Sequence, residues 1–177
     1  MVATILNRVT LPGWKAGITS PVPTVMSMNG VHIERQKPLP FARGADFLLI
    51  GSGMKTRDIA QDEAVLQDLD PRQLISAQCS GPLLLSALGL LDGMSASTDT
   101  VTKPRAAEGG ITILERPFHA VGSLATAGGC LTSQFLAGGA IIQGAGRRYA
   151  GEILRCVSPV GQKDEYVAPC DGGDRSY

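Results

Sequence analysis

The sequence lacks the features that mark several large classes of protein. Its 16 basic and 16 acidic residues cancel, and they form no basic stripe, so nucleic-acid binding is not expected. No apolar run reaches the roughly 18 residues that a membrane-spanning helix needs. The first residues have no basic start, long apolar stretch and small-residue cleavage site in succession, so no secretory signal is predicted. These absences favour a cytoplasmic protein that binds neither membranes nor nucleic acids.

Metal-binding side chains are also scarce. The chain has four cysteines and two histidines, and no two cysteines form a CxxC pair, so a zinc site is not expected. A small secreted domain held by disulfides would have more closely spaced cysteines. We therefore expect reduced thiols, no metal and no other cofactor. The cysteines are Cys79, Cys130, Cys156 and Cys170.

What the chain does contain is an alternation of strand-like and helix-like segments. The apolar run FLLI at 47–50 is typical of a parallel strand buried on both faces. QLISAQ at 73–78 predicts the next strand, and Pro82 suits the first turn of the helix after it. Residues 13–21 and 25–35 predict short strands with a turn at Asn29-Gly30, and residues 56–69 predict a helix. Residues 109–129 predict two strands around a turn near Gly122, and a long helix is expected after them, over roughly 129–148.

Strands that alternate with helices predict an α/β domain with a mostly parallel sheet. We expect one domain over residues 1–160 and a polar C-terminal tail over 161–177. In such sheets the chemistry gathers at the carboxyl ends of the strands. Three glycine-bearing segments follow strands there: GSG at 51–53, CSG at 79–81 and AGGC at 127–130.

Cys79 lies at the sharpest of these junctions. A strand, a tight turn with glycine two residues later and a helix together predict a nucleophile elbow that holds the thiol out at the edge of the sheet. The amino end of the following helix is expected to lower the thiol pKa. The backbone N–H groups of Ser80 and Gly53 are the expected donors to an oxyanion. The alternative is a buried cysteine with no chemistry of its own.

Two longer segments strengthen the elbow interpretation through a resemblance. AQCSGPLLLSALGLLDGMSASTD at 77–99 resembles the nucleophile segment of the ThiJ/PfpI family, in the class I glutamine-amidotransferase-like superfamily. LATAGGCLTSQFLAGGAI at 124–141 is similar to the later glycine turn and long helix of that family, and ADFLLIGSG at 45–53 matches its Pro-Gly-Gly strand less well. The resemblance implies a flavodoxin-like three-layer sandwich, a homodimer, and Gly128 and Gly129 lining the site.

The sequence departs from the family pattern at a position beside the cysteine. Where many members have a histidine that assists the cysteine, this chain has Asp99. A carboxylate there can position water or accept a proton, but as an anion it raises the pKa of a neighbouring thiol. The alternative for Asp99 is a solvated or helix-capping acid. His119 could approach the site from the predicted hairpin, or be an ordinary surface or core histidine.

A second departure is at the beginning of the chain. Residues 1–12 resemble the end of the helix that follows the first strand of the family, so that strand and its acidic residue are expected to be absent. The central sheet would then lack an inner strand and have unpaired backbone groups. The alternative is that VATIL at 2–6 is itself a short strand.

These residues give three functional hypotheses. The first is an enzyme that uses Cys79 to hydrate or hydrolyse a small electrophile of the isonitrile, aldehyde or amide type, with Asp99 as its acid–base group. An isonitrile is slightly favoured because Ser80 places a hydroxyl beside the thiol. The second is a non-enzymatic redox sensor or binding protein with an oxidisable Cys79. The third is an inactive fragment.

Overall fold

The computed structural model describes residues 1–69 and 72–168. Two 3-10 turns lie at Leu39–Gly44 and Cys130–Thr132. The helices are α1 (Val2–Leu6), α2 (Thr56–Ile59), α3 (Glu63–Leu66), α4 (Pro82–Ala87), α5 (Lys103–Glu108), α6 (Ser133–Ala145), α7 (Arg147–Val157) and α8 (Lys163–Val167). The strands are β1 (Thr19–Ser20), β2 (Thr24–Met26), β3 (His32–Glu34), β4 (Lys37–Pro38), β5 (Phe47–Ile50), β6 (Leu74–Gln78), β7 (Ser95–Ala96), β8 (Thr112–Ile113), β9 (Phe118–Val121) and β10 (Leu124–Ala127).

The central sheet has four strands in the order β5-β6-β10-β9. β5 and β10 run parallel to β6, whereas β9 is antiparallel to β10. This arrangement confirms the prediction of a mostly parallel sheet. Ile50 pairs with Ala77 and Gln78 pairs with Ala127, so the carboxyl ends of β5, β6 and β10 meet at one edge. β5 is the outer strand on its side of this sheet.

Helices cover both faces of the sheet, which gives the three layers that were predicted. On one face, Leu84 and Leu85 of α4 and Ile75 of β6 belong to one buried cluster. On the other face, Ile141 of α6 and Leu154 of α7 belong to a second buried cluster. Side chains of β5 pack against both clusters, as a strand covered on two faces requires.

The beginning of the chain is helical. α1 packs into the second cluster beside α6 and α7, so the alternative of a strand at VATIL is wrong. The Trp14 indole Nε1 donates a 3.0 Å hydrogen bond to the Leu6 carbonyl oxygen. A Cβ at Gly144 would lie 2.6 Å from the Trp14 ring, so α6 needs glycine at this position. The indole therefore joins the end of α1 to α6.

Helix boundaries differ from the predicted ones where local residues interrupt a helix. The helix expected over 56–69 is two short helices, and the Asp62 side chain caps the second by accepting from the N–H groups of Ala64 and Val65. The long helix expected to reach about residue 148 ends at Ala145, because Gly146 has a φ of 88° and α7 begins after it.

The segment over 161–177, predicted to be a polar tail, begins with α8. α8 contacts α7, and Val167 is buried in the second cluster. The remainder of this segment, residues 169–177 with Cys170, lies outside the described residues. Among the described helices, none is long and apolar enough to cross a membrane.

Candidate functional site

Cys79 has the backbone geometry of an elbow. Its φ is 58°, and within 1–69 and 72–168 it is the only residue other than glycine with a positive φ. This left-handed conformation is unfavourable for a side chain with a Cβ, so the surrounding structure must hold it. The Cys79 N–H donates to the Ala127 carbonyl oxygen at 2.8 Å. Thr98 Oγ1 donates to the Cys79 carbonyl oxygen at 2.6 Å.

The glycine of the elbow is required by close backbone contacts. A Cβ at Gly81 would lie 2.9 Å from the Ile50 carbonyl oxygen and 3.0 Å from the Gln78 carbonyl oxygen. The start of α4 therefore fits against the ends of β5 and β6 only when no side chain is present there. The predicted elbow, with Cys79 between β6 and α4, is the observed geometry.

Three loops converge on this elbow. The loop after β5 is held by a 2.9 Å contact between the hydroxyls of Thr56 and Ser80. The loop after β7 is held by the bond from Thr98. The loop after β10 is held by the Gln78 side chain, whose Nε2 donates to the Gly129 carbonyl oxygen at 2.9 Å. Each loop is thus attached to a residue within one position of Cys79.

The Cys79 thiol is partly buried and close to the Asp99 carboxylate. Burial is the main cause that raises its pKa, and Asp99 raises the pKa further through its charge and its interaction with the thiol proton. The Ser52 hydroxyl and the Ser80 N–H act in the opposite direction, but the net pKa is raised. This direction is opposite to the one expected from the amino end of α4, which is only six residues long. At neutral pH the group is therefore a thiol.

Asp99 is fixed by the helix that follows it. Its Oδ1 accepts from the N–H groups of Val101 at 2.9 Å and Thr102 at 3.0 Å, just before α5. Burial acts to raise its pKa, but the interactions with Thr102, Cys79 and Val101 outweigh burial, and the net pKa is lowered. Asp99 is consequently an anion at neutral pH. Its Oδ2 is buried and has no hydrogen-bond partner among the described residues.

Asp99 both caps α5 and lies beside the thiol. The two alternatives for it, a group that acts on Cys79 and a helix-capping acid, therefore do not exclude each other. One oxygen stabilises the start of α5, and the carboxylate still acts on Cys79. The oxygen without a partner leaves Asp99 able to accept a proton.

The two predicted oxyanion donors differ in their availability. The Ser80 N–H is directed to the Cys79 sulfur. The Gly53 N–H donates to Thr56 Oγ1 at 3.0 Å, so it is occupied within its own loop. The Thr56 hydroxyl is buried and also donates to the Gly53 carbonyl oxygen at 2.7 Å. Gly53 thus shapes the loop, and it does not present a free donor to the sulfur in this structure.

The residue of this loop that reaches the thiol is Ser52, which the sequence analysis did not identify. Its side chain lowers the pKa of the Cys79 thiol by hydrogen bonding. The signal was present, since Ser52 is a hydroxyl residue directly after the strand that neighbours the elbow strand. The predicted donor of this loop was the backbone of the neighbouring Gly53.

Gly128 and Gly129 form the loop that follows β10. A Cβ at Gly128 would lie 2.6 Å from the Thr98 carbonyl oxygen, and Gly129 has a φ of 77°. Gly128 therefore allows the loop before Asp99 to approach β10 closely. Cys130, which follows, is exposed and free.

His119 lies apart from the thiol. It is on β9, opposite Thr126, in a cleft whose lining includes Met94 and Ser95. Burial and the Arg116 charge lower its pKa. The groups that act on Cys79 in the described chain are Ser52, Ser80 and Asp99. The approach of His119 to the site from the hairpin is therefore not observed.

Solved structures with the same fold come from several organisms. Schizosaccharomyces pombe DJ-1 is 18% identical, with a TM-score of 0.76 over 89% of this chain and 90% of that chain. A THiJ/PfpI family protein from Pseudomonas syringae is 22% identical, with a TM-score of 0.78 over 89% of this chain and 69% of that chain. Toxoplasma gondii DJ-1 in an oxidized form is 20% identical, with a TM-score of 0.74 over 88% of both chains.

Comparison of the sequence alone finds no relative of this chain. No protein-family model matches the chain, and no curated protein matches its sequence significantly. The structural likeness shows that the chain has the three-layer, flavodoxin-like fold of the DJ-1 and ThiJ/PfpI proteins. The resemblance found in the sequence segments around Cys79 therefore pointed to the correct fold.

Proposed function

We propose that this chain, which has the fold of the DJ-1 and ThiJ/PfpI proteins, is a member of that superfamily and an enzyme that hydrates or hydrolyses a small electrophile through Cys79. One observation carries the proposal: Cys79 has elbow geometry, and the Asp99 carboxylate acts on its thiol. A nucleophile and a base within reach of each other form the minimal unit of covalent catalysis.

The directions of the two pKa shifts define how the nucleophile is activated. A thiol with a raised pKa and a carboxylate with a lowered pKa do not exchange a proton in the resting state. The proton therefore passes to Asp99 Oδ2 as the sulfur attacks, when the S–H bond weakens. The Ser80 N–H and the Ser52 hydroxyl, both directed at the sulfur, stabilise the negative charge that develops there.

Each of the three classes of electrophile would form a different covalent adduct with Cys79. With an aldehyde, the sulfur bonds to the carbonyl carbon and the proton returns from Asp99 to the oxygen, which gives a thiohemiacetal. With an isonitrile, the sulfur and the proton both add to the terminal carbon, and attack by water then releases a formamide and the thiol. With an amide, the amine leaves with the proton, and water hydrolyses the thioester.

Mass spectrometry of the trapped adduct tests the proposal. The protein is incubated separately with glyoxal, an alkyl isonitrile and a simple amide, and adducts are mapped to each cysteine. We expect an adduct on Cys79 with at least one class, together with turnover that Cys79→Ser abolishes. Cys156→Ser is the matched control, because Cys156 is an exposed free thiol on α7. Labelling confined to Cys130 or Cys156 would contradict the proposal.

A redox sensor is the second candidate function, and a specific observation favours it: the Cys79 thiol is partly accessible, and one structure with this fold is that of an oxidized protein. Peroxide reacts with the thiolate, so the raised pKa predicts slow oxidation of Cys79 at neutral pH and faster oxidation as the pH rises. Fast, selective sulfenic acid formation at neutral pH without turnover of any electrophile would favour the sensor.

A further inference from the structure

Three large apolar side chains are exposed on the three loops that meet at Cys79. Met54 is 76% exposed, Val101 is 76% exposed and Leu131 is 80% exposed. Isolated exposed apolar residues are common on protein surfaces. The unusual feature here is that each loop of the site carries one.

Each of these residues is close along the chain to a group of the site. Met54 is two residues after Ser52, whose side chain lowers the pKa of the Cys79 thiol. The Val101 N–H donates to Asp99 Oδ1 at 2.9 Å, which places Val101 beside the carboxylate. Leu131 follows Cys130, whose carbonyl oxygen accepts from Gln78 Nε2 at 3.1 Å. Gln78 directly precedes Cys79, so each of the three apolar residues lies on a loop that is attached to the elbow.

Few polar groups act on the Cys79 sulfur between these three loops. The groups of the described chain that act on the sulfur are two donors, Ser52 and Ser80, and one anion, Asp99. None of these three groups is a cation. Exposed apolar surface around a small polar centre is typical of sites where an apolar ligand is oriented by a few polar groups.

We propose that the electrophile attacked by Cys79 carries an apolar substituent, alkyl or aryl, which is bound by an apolar rim formed by Met54, Val101 and Leu131. This inference rests on the proposed function, since it takes Cys79 as the reacting atom. The reacting carbon lies at the thiol, and the substituent covers the three side chains. The substrate class is therefore an isonitrile, aldehyde or amide with a hydrophobic substituent.

A series of N-alkylmaleimides tests the rim without requiring turnover. The reactive group stays constant from N-methyl to N-hexyl, and labelling of Cys79 is compared by mass spectrometry with labelling of Cys156 in the same molecule. Full burial of one methylene group corresponds to about a fourfold increase in labelling rate. Partial burial on the rim therefore predicts that the labelling rate of Cys79 rises about twofold for each added methylene. Labelling of Cys156 should show no such gain.

Substitution of the rim residues separates their effect on Cys79 labelling from the general effect of a more hydrophobic reagent. Met54→Ser, Val101→Ser and Leu131→Ser should each reduce the dependence of Cys79 labelling on chain length, and the triple variant should abolish it. Met28→Ser is the matched control, because Met28 is 78% exposed and lies in the turn between β2 and β3. All four positions are at the surface, so the variants are expected to remain folded.

Two results would overturn the inference. One is a chain-length dependence at Cys79 that is no greater than at Cys156. The other is that the unsubstituted protein sediments as a dimer and the rim variants sediment as monomers, which would mean that a second copy of the chain covers these side chains. Failure of the proposed enzyme function is a separate outcome, since it would appear as absent turnover while selective maleimide labelling at Cys79 persists.

Discussion

The Thr98 hydroxyl donates a 2.6 Å hydrogen bond to the carbonyl oxygen of Cys79, and the next residue, Asp99, places its carboxylate at the thiol of the same cysteine. One short loop thus holds the strained backbone of the elbow and also supplies the carboxylate that raises the pKa of its thiol. The position of the carboxylate and the conformation of the cysteine are therefore coupled.

Thr98→Val is expected to loosen the elbow. The change removes the donor and leaves the Cys79 carbonyl oxygen without its partner, which costs about 1–2 kcal/mol of unfolding free energy. Urea unfolding would measure the loss. Thr112→Val, on the exposed side of β8, is the control and should change stability by less than about 0.5 kcal/mol. Equal stabilities for the two variants would show that the bond contributes nothing to the fold.

The positive φ of Cys79 predicts an unusual effect of glycine. A residue with a Cβ is strained by about 1–2 kcal/mol in the left-handed region, and glycine is not. Cys79→Gly should therefore be more stable than Cys79→Ala by about 1 kcal/mol in thermal or urea unfolding. In β6, where Ala77 is extended and buried, Ala77→Gly should instead lower stability. A Cys79→Gly variant less stable than Cys79→Ala would contradict the elbow strain.

Asp99→Asn is expected to lower the pKa of Cys79. Asp99 raises that pKa as an anion, whereas an asparagine in its place keeps the oxygen that caps α5 and loses the charge. For a one-unit shift, about tenfold more thiolate and about threefold lower nucleophilicity give a net gain of about threefold in alkylation below the pKa. The pH dependence of iodoacetamide labelling, mapped to Cys79, measures the shift.

The same variant separates charge from catalysis. The gain with iodoacetate, an anion, should exceed the gain with neutral iodoacetamide, because the repulsive carboxylate is gone. Turnover of any electrophile should fall, since the proton acceptor is lost. If turnover rose together with alkylation, Asp99 would not be the base.

Ser52→Ala is expected to change the Cys79 pKa in the opposite direction. The Ser52 hydroxyl lowers this pKa by donating to the sulfur, so its loss should raise the apparent pKa of alkylation by about 0.5 to 1 unit. Ser52→Thr should restore most of the original value, because it returns the hydroxyl. Ser123→Ala, in the exposed turn between β9 and β10, is the control. An unchanged pH profile for Ser52→Ala would mean that the hydroxyl does not stabilise the thiolate.

Local residue patterns were sufficient to predict several elements. The apolar run at 47–50 and the run at 74–78 each fit one conformation, and Gly81 with Pro82 predicted the turn and helix after Cys79. The Asn29-Gly30 pair predicted the hairpin of β2 and β3, and Gly30 has a φ of 79°. These features depend on residues that are neighbours in the sequence, so they can be predicted from short segments alone.

Other features depend on groups that are distant in the sequence. The direction of the Cys79 pKa follows from how deeply the sulfur is buried and from Asp99, 20 residues away, and these outweigh the short helix that follows. Likewise, the Gly53 N–H, predicted as an oxyanion donor, is occupied in this structure because it donates to the Thr56 side chain. His119 is placed on another part of the sheet by the pairing of β9 with β10.

By itself, the sequence determined that a parallel α/β sheet forms and that Cys79 lies on a tight turn after one of its strands, because apolar runs and glycine placement act over a few residues. Only the tertiary structure decided which groups surround the sulfur: Ser52 and Asp99 come from different loops, and His119 stays away. Burial, charge and hydrogen bonding act through space, so the chemistry of the thiol is set where three separate strands end together.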